Sequence, residues 1–424
     1  MKLQLIASRK LILLASTLVF AACSKDKKND PLPPQNTPVI TSTAPATAIV
    51  GASLTISGTD LSWSTAPVRV TINSADCPVT AASPSSITCT LPTELVSPGG
   101  VATFPLQVKV GSQLSNTVQQ SVSATEQSGW FYVKTGLATG LNKIVVPDPR
   151  ILYAQKSRFI YGSADGGYAW AGASDNGILG LGSALASYDG TTTMSDFARQ
   201  IAFGSQNHGL GNISIRGGDG ANGVINGIFM NSPTTGLVMT DKGEFFTVNS
   251  AGTYQSEYVS TYSGNNTLGY RIMAAADMNN LVATGYVQVA GTATPIIIRK
   301  RNGVYSESIN FNLISNLQTQ VKDIQMPDAN TYYITDASNK LYKYIPGGTV
   351  LENQRASTIY FPTAMEGYAA YNGVIYHTTD GADNWQPVHT MPAGDNITSI
   401  RGKGGLVYVL GENASGGFIL KYKP

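Results

Sequence analysis

A strand-rich unit repeats at a fixed interval near the end of the chain, and this interval constrains the fold more than any other feature. Apolar segments typical of buried strands open at Val321, Ile359 and Ile397, 38 residues apart each time. A turn, a second apolar strand and a hairpin follow each opening. Spacing of this size is typical of β-propeller blades, in which four antiparallel strands form one repeat.

Similar openings occur earlier in the chain at looser intervals. They are Lys143–Asp148, Gly227–Ser232 and Arg271–Met273. Together with the three regular ones they make six, and Ile201–Phe203 is a candidate seventh. The irregular stretch from 174 to 222 indicates insertions. The sequence therefore predicts an all-β body over residues 125–424, a β-propeller of six or seven blades.

Two hairpins of this region share a pattern of hydroxyl, acid, glycine and tryptophan. They are Ser163–Trp170 and Thr378–Trp385, and Met239–Phe246 looks like a degenerate third copy. In such a turn the Asp and Ser or Thr oxygens accept backbone N–H groups, Gly permits positive φ, and Trp covers the hairpin. Both hairpins resemble the Asp-box, Ser-x-Asp-x-Gly-x-Thr-Trp. The region as a whole is similar to the Asp-box propellers of sialidases and photosystem-assembly-factor-like proteins.

The resemblance implies a structural role for the motif residues. In that family the Asp-boxes lie away from the ligand face, so no catalytic role is assigned to either hairpin. A calcium site at Asp380 and Asp383, or at Gly217–Gly220, is not predicted, because neither stretch supplies the ligand series that calcium needs. The structural residues are Ser163, Asp165, Gly167 and Trp170 in the first hairpin and Thr378, Asp380, Gly381 and Trp385 in the second.

A smaller strand-rich segment, residues 38–124, precedes the propeller. In Val68–Ile72 alternate residues are apolar, and regular short strands with turn signals imply a sandwich. The segment resembles an IPT/TIG domain through Gly51, Leu54–Thr59 and Ile87–Pro92. This implies an immunoglobulin-like fold that acts as a spacer, and we expect a stalk. A ligand-binding module that uses Trp63 is the alternative.

The N-terminus has the features of an export signal. Lys2, Arg9 and Lys10 precede the apolar stretch Leu11–Phe20, which is short for a membrane span. Two alanines and Cys23 follow it directly. This junction resembles a lipobox, which implies that residues 1–22 are removed and that Cys23 carries lipid. An ordinary secretory signal is the alternative.

The residues that follow Cys23 are charged and proline-rich. Residues 23–37 cannot bury apolar surface, which predicts an extended tether. A charged cluster directly after the lipidated cysteine resembles the export signal of surface lipoproteins in polysaccharide-degrading Gram-negative bacteria. The resemblance implies an outer-membrane anchor with the body at the cell surface, and the periplasmic face stays open as an alternative.

The two other cysteines, Cys77 and Cys89, form an even pair in an exported chain. Such a pair predicts a disulfide, with two separate buried thiols as the alternative. The two positions also fall where some IPT/TIG domains carry a disulfide.

No residue set forms a recognisable active site. The formal net charge is +2, which provides no basic field for nucleic acid. Nucleophile-elbow and zinc-protease motifs do not occur, and neither does the Phe-Arg-Ile-Pro motif of sialidases. The three histidines, His208, His377 and His389, are isolated. We therefore predict no catalytic residue, no metal and no cofactor.

Three functions fit this organisation. The first is a non-catalytic surface binding protein that captures glycan beside an outer-membrane import partner. The second is a carbohydrate-active propeller enzyme, because a carboxylate pair separated in sequence leaves no local pattern. The third is an adhesin or protein-interaction scaffold. Tyr and Trp at a propeller mouth stack on sugar rings in the first two cases, but the sequence does not indicate which ones.

Overall fold

The computed structural model of the chain consists of strands joined by turns. It describes residues 36–63, 66–156, 159–172, 185–187, 192–197, 200–205, 211–214, 225–264, 267–309, 321–346 and 348–424. Within these ranges no helix is long and apolar enough to cross a membrane. The described residues divide into two units, one with residues up to 93 and 103–122, the other with 94–102 and 123–424.

The first unit contains two sheets. One orders β1 (Val39–Ala44), β3 (Ser53–Thr59), β7 (Ser86–Thr90) and β6 (Val79–Ser83). The other orders β2 (Thr47–Ile49), β10 (Val118–Ser123), β8 (Val101–Val110), β4 (Val68–Ile72) and β5 (Ala75–Cys77), with β9 (Gln113–Leu114) paired to β8.

The alternation of the sequence explains this sandwich. In β4, Val70 and Ile72 are fully buried, whereas Arg69, which precedes Val70, is exposed and Thr71 between the two is half-buried. Leu54 and Ile87 fill the same core from the other sheet. Side chains on one face of each strand meet those of the facing sheet, which is the packing of an immunoglobulin-like fold. The predicted architecture of this segment is confirmed.

The two cysteines of this unit lie in different sheets, Cys77 at the end of β5 and Cys89 in β7. Both are buried, and the structure holds them as free thiols rather than as a bridge. The thiols are hydrogen-bonded to each other, and this contact, together with burial, raises the pKa of Cys89. The predicted disulfide is absent from this structure and stays a prediction for the exported protein.

Oxidation of this pair is expected to stabilise the first unit by about 2–4 kcal/mol, because a cross-link removes freedom from the unfolded chain. Mass spectrometry of the protein purified without reductant reports the bond, and urea unfolding with and without reductant reports the free energy. A Cys77→Ser, Cys89→Ser double variant is the control and should not respond to reductant. Two alkylatable thiols in protein from an oxidising compartment would contradict the prediction.

The second unit contains seven four-stranded antiparallel sheets, numbered here as blades. Blade 1 has β12 (Lys143–Asp148), β13 (Ile151–Lys156), β14 (Phe159–Ser163) and β15 (Ala171–Gly172); blade 2 has β16 (Leu185–Ser187), β17 (Thr192–Phe197), β18 (Gln200–Ser205) and β19 (Gly211–Ser214). Blade 3 has β20 (Ile225–Ser232), β21 (Thr235–Thr240), β22 (Glu244–Asn249) and β23 (Tyr254–Val259); blade 4 has β24 (Thr267–Asp277), β25 (Asn280–Val289), β26 (Thr292–Arg301) and β27 (Val304–Ile309).

The last three blades lie in the regular part of the repeat. Blade 5 has β28 (Val321–Gln325), β29 (Tyr332–Asp336), β30 (Lys340–Ile345) and β31 (Gly348–Arg355); blade 6 has β32 (Thr358–Tyr360), β33 (Gly367–Tyr371), β34 (Val374–Thr378) and β35 (Gln386–Thr390). Blade 7 has β36 (Asn396–Lys403), β37 (Leu406–Asn413), β38 (Gly416–Lys423) and, as its fourth strand, β11 (Gly129–Leu137).

The ring is closed by strands from both ends of this unit. β11 pairs with β38, for example at Trp130 opposite Tyr422. The first strands of successive blades are neighbours all the way round, and β36 of blade 7 lies beside β12 of blade 1. The all-β propeller is therefore confirmed, with seven sheets in the described residues.

The predicted openings coincide with first strands in six blades. β28, β32 and β36 begin at Val321, Thr358 and Asn396. The regular interval in the sequence is therefore the distance between the first, innermost strands of successive blades. The candidate opening at Ile201–Phe203 was wrong in position, because those residues lie in β18, the third strand of blade 2. That blade begins with the short strand β16, whose three residues give too little pattern to detect.

The connections of the blades lie at two opposite ends of the propeller. Because the strands are antiparallel, turns between first and second strands and between third and fourth strands share one end. The two predicted Asp-box hairpins join third and fourth strands, in blades 1 and 6. We call this the Asp-box end and the other the opposite end.

Candidate functional site

The first predicted Asp-box hairpin, Ser163–Trp170, is held by hydrogen bonds inside the turn. Ser163 Oγ donates to Asp165 Oδ1 over 2.9 Å and accepts the Gly167 N–H over 2.9 Å. Asp165 Oδ1 accepts the Ala169 N–H over 3.0 Å, and Trp170 Nε1 donates to Gly167 O over 2.7 Å. Burial raises the pKa of Asp165, but these hydrogen bonds outweigh it, so the pKa is lowered overall. The carboxylate of Asp165 thus accepts hydrogen bonds from backbone N–H groups and from the hydroxyls of Ser163 and Ser97.

The second hairpin, Thr378–Trp385, has the same geometry. Thr378 Oγ1 donates to Asp380 Oδ1 over 2.8 Å and accepts the Ala382 N–H over 3.1 Å. Asn384 donates to Asp380 from its side chain and its backbone, and these bonds lower the pKa of Asp380 to about 2. Trp385 packs edge-on against Phe361. This geometry fits a structural role, which stays a prediction for both hairpins.

The degenerate third copy lies elsewhere in its blade. Residues 240–244 join the second and third strands of blade 3, at the opposite end. There Thr240 Oγ1 donates to Glu244 Oε2 over 3.2 Å and accepts the Glu244 N–H. Asn339, in the matching turn of blade 5, has a positive φ of 61°. Short polar turns therefore occur at both ends of the propeller. The sequence pattern of such a turn does not by itself tell at which end it lies.

The histidines and the suggested calcium positions do not form a site. His377 stacks on Tyr368 at 4.5 Å, and His389 stacks on Trp130 at 5.4 Å, where burial lowers its pKa. Asp383 pairs with Lys343. No group of three or more His, Cys, Asp or Glu able to hold a metal occurs among the described residues. His208 and Gly217–Gly220 lie outside them.

An ion pair joins the innermost strands of blades 5, 6 and 7. Arg401 donates to both carboxylate oxygens of Asp323, over 2.9 and 3.2 Å. Thr358 Oγ1 and the Ile359 N–H also donate to Asp323. The Asp323 side chain is only 7% exposed. The cluster therefore links three blades through hydrogen bonds and an ion pair. Because the two charges are paired with each other, the cluster offers no open position for a ligand.

A notch in blade 4, bordered by blade 5, is the best candidate for a binding site. Its lining includes Arg271 of β24, Thr284 and Tyr286 of β25, Pro295 of β26 and Val321 of β28. The free space inside it is about 10 Å³, which is roughly the room that one water molecule needs. The notch therefore admits a single small polar group of a ligand rather than a sugar ring.

Two residues that line the notch, Thr284 and Tyr286, carry buried hydroxyls. Thr284 is 2% exposed, and neither its Oγ1 nor the Tyr286 hydroxyl has a hydrogen-bond partner among the residues that the structure describes. An unpaired buried hydroxyl costs about 1–3 kcal/mol, so a polar group that enters the notch gains this energy. A single bound water would gain it as well.

Backbone geometry gives the notch its shape. Gly285 lies so close to the neighbouring strand that a Cβ there would come within 2.6 Å of the Tyr270 Cα. Gly269, with a φ of +121°, lies beside the Arg271 guanidinium. These glycines bring the strands together and leave the arginine side chain free to reach solvent.

The electrostatic surroundings of the notch contain both signs of charge. Burial raises the pKa of Tyr286, the carboxylate of Asp336 raises it further, and the guanidinium of Arg271 lowers it. The phenol therefore keeps its proton and can donate or accept. Arg271 is exposed and donates only. Mixed donors and acceptors of this kind suit the hydroxyl groups of a polyol.

Sequence reasoning did not identify these residues as a site. Arg271 was recognised only as part of a blade opening, and Thr284 and Tyr286 have no motif. The one local signal is the pair of glycines, Gly269 and Gly285, inside apolar strands, which indicates close approach of backbones. The other predicted residues lie elsewhere: Trp63 is half-buried in the first unit, and Cys23 is outside the described residues.

Comparison with known families identifies one part of the chain. Residues 38–125 match the IPT/TIG domain family. No curated protein sequence matches the chain.

Solved structures of other proteins are similar in fold to about 70% of the chain. YCF48 bound to D1 peptide is 14% identical, with a TM-score of 0.52 over 71% of this chain and 99% of that one. YCF48 from Cyanidioschyzon merolae is 14% identical, with a TM-score of 0.54 over 70% and 99%. A catalytically inactive virginiamycin B lyase from Staphylococcus aureus with quinupristin is 14% identical, with a TM-score of 0.53 over 70% and 99%. At this identity the likeness concerns the fold alone.

Proposed function

We propose that the protein is a non-catalytic, lipid-anchored binding protein at the cell surface, and that its propeller captures glycan. The observation that carries the proposal is the notch in blade 4. It combines an exposed guanidinium with two buried hydroxyls that have no partner among the described residues. Sugar hydroxyl groups satisfy such a set by donating and accepting at once.

The order of segments supports the same proposal. A lipidated Cys23, a tether over residues 23–37 and an immunoglobulin-like module would hold the propeller away from the membrane. Glycan captured in this way would pass to an outer-membrane import partner. The lining of the notch supplies hydrogen-bond donors and acceptors and one cation, a set suited to binding.

Retention on affinity gels tests the binding. The full mature protein is run on gels containing soluble starch, xylan, mannan or polygalacturonate, and we expect retardation by at least one. Arg271→Gln is expected to weaken that binding about 10- to 100-fold, because a hydrogen bond from a charged group contributes about 1.5–3 kcal/mol. Lys403→Gln removes one exposed charge from blade 7 and is the matched control.

Three outcomes would contradict parts of the proposal. Release of reducing ends from the retarding polysaccharide would show an enzyme, and retention by none of the four would argue against glycan. Arg271→Gln with unchanged retention would place the ligand elsewhere. The anchor is tested separately by mass spectrometry of the N-terminal peptide, where acyl chains on Cys23 are expected and an unmodified soluble form would contradict them.

A further inference from the structure

Two arginines of blade 4 converge on one aromatic ring of blade 5 at the Asp-box end. Arg299 and Arg301 are two residues apart in β26 and therefore project from the same face of the sheet. Their guanidinium carbons lie 4.7 and 5.3 Å from the centroid of the Tyr344 ring. Tyr344 is stacked on Tyr332, with ring centroids 4.4 Å apart. The two cations are thus held as close neighbours.

Neither guanidinium has a carboxylate partner among the residues that the structure describes, whereas nearby cations do. Lys300, between them on the other face of β26, pairs with Glu257 over 2.5 Å. Lys343, beside Tyr344 in β30, pairs with Asp383 over 3.2 Å. Two like charges that share one site repel each other unless an anion lies between them.

The hydroxyl of Tyr332 adds a donor to the same site. Arg299 donates to the Tyr332 oxygen from Nε over 3.0 Å and from Nη2 over 2.8 Å. The phenol accepts both bonds, and its own proton has no acceptor within the described part of the chain. Burial raises the pKa of Tyr332, so this proton is retained and available to an anion.

The site is accessible and separate from the notch. Arg299, Arg301 and Tyr344 are half-buried, and Ile345 beside them is 37% exposed. β26 and β30 both end here, at the Asp-box end, whereas the lining of the notch lies nearer the opposite end. A ligand at the arginines would therefore not compete with one in the notch.

We propose that Arg299, Arg301 and Tyr332 form a binding site for a doubly charged oxyanion, a phosphate or sulfate group. Arg301 presents a planar fork of N–H donors that matches two oxygens of such a group, and Arg299 keeps the donors of Nη1 because its Nε and Nη2 are bonded to Tyr332. Donors from two guanidinium groups and a phenol suit a tetrahedral oxyanion with several charged oxygens better than a single carboxylate. The site goes beyond glycan capture in the notch and does not depend on it.

Isothermal titration of the full mature protein with sodium phosphate and sodium sulfate, at constant ionic strength in a chloride buffer, tests the site. We expect saturable binding of one anion per chain. Arg301→Gln, at the half-exposed rim, is expected to weaken this binding about tenfold or more. Lys403→Gln is the charge-matched control and should change it less than about twofold. Equal thermal unfolding of the two variants confirms that both remain folded.

The source of the anion is distinguished by two further titrations, one with a sulfated disaccharide and one with vesicles containing phosphatidylglycerol. If the disaccharide or the vesicles bind to the unchanged protein and not to Arg301→Gln, the result supports the proposal and identifies which of the two carries the anion. Arg271→Gln should reduce glycan retention and leave anion binding unchanged. Arg301→Gln should reduce anion binding and leave glycan retention unchanged, so the two proposed sites are tested independently. Absence of saturable binding to both free ions, or equal binding by Arg301→Gln and the control, would overturn the proposal.

Discussion

Lys421→Met is expected to lower the free energy of unfolding of the propeller by about 3–5 kcal/mol, because it leaves a buried carboxylate without its main partner. Lys421 Nζ lies 2.5 Å from Glu126 Oε1, and the two side chains are 3% and 6% exposed. Tyr168 also donates to this oxygen over 3.0 Å, and Lys423 lies 3.6 Å from the other. Burial lowers the pKa of Lys421, against the effect of Glu126.

Urea unfolding followed by tryptophan fluorescence measures this loss. Asp383→Asn is the matched control, since it breaks the Lys343–Asp383 pair, whose carboxylate is 67% exposed, and a loss below about 1 kcal/mol is expected. Adding Glu126→Gln to Lys421→Met should recover part of the stability, because no buried charge then remains unpaired. A loss in Lys421→Met no larger than in the control would show that the pair does not stabilise the ring.

Tyr333→Ala is expected to lower the same free energy by about 3–5 kcal/mol through loss of a fully buried ring. Tyr333 lies in blade 5 and stacks on Phe361 of blade 6, with ring centroids 3.5 Å apart. Its hydroxyl donates to the carbonyls of Ala364, over 2.8 Å, and Gly381, over 3.2 Å. The residue therefore joins two blades and holds the second predicted Asp-box hairpin in place.

Tyr333→Phe separates the two contributions, because it keeps the ring and removes only the hydroxyl. We expect it to cost about 1–2 kcal/mol, from two carbonyls that lose their donor. The same urea transition measures both variants. Equal losses in Tyr333→Ala and Tyr333→Phe would contradict the assignment of most of the stability to packing between blades.

The strands and turns of this protein could be predicted because their causes are local. Alternation in Val68–Ile72 and the regular interval from Val321 onward follow from the two-residue period of a strand and the four strands of a blade. Inside their own turns, Asp165 and Asp380 accept hydrogen bonds from residues at most four positions away, so the residue types needed there stand together in the sequence. The bond that Asp165 also accepts from Ser97, 68 positions away, leaves no such local pattern.

Only the tertiary structure decided the pairings between distant segments. β11 completes blade 7 beside β38, and Glu126 meets Lys421 across 295 positions of the chain. The closure of the ring fixes these contacts, and no local pattern records them. The same holds for Arg271 and Val321, which different blades bring to one notch.

The physical reason is the range of the interactions involved. A hydrogen bond within a turn selects its residues directly, so Thr378–Trp385 could be recognised as a hairpin from its own sequence. A binding surface on a propeller takes single residues from strands that meet only after the sheets have packed. The sequence therefore determined which segments form strands and turns, and the packing of seven sheets decided which side chains face one another.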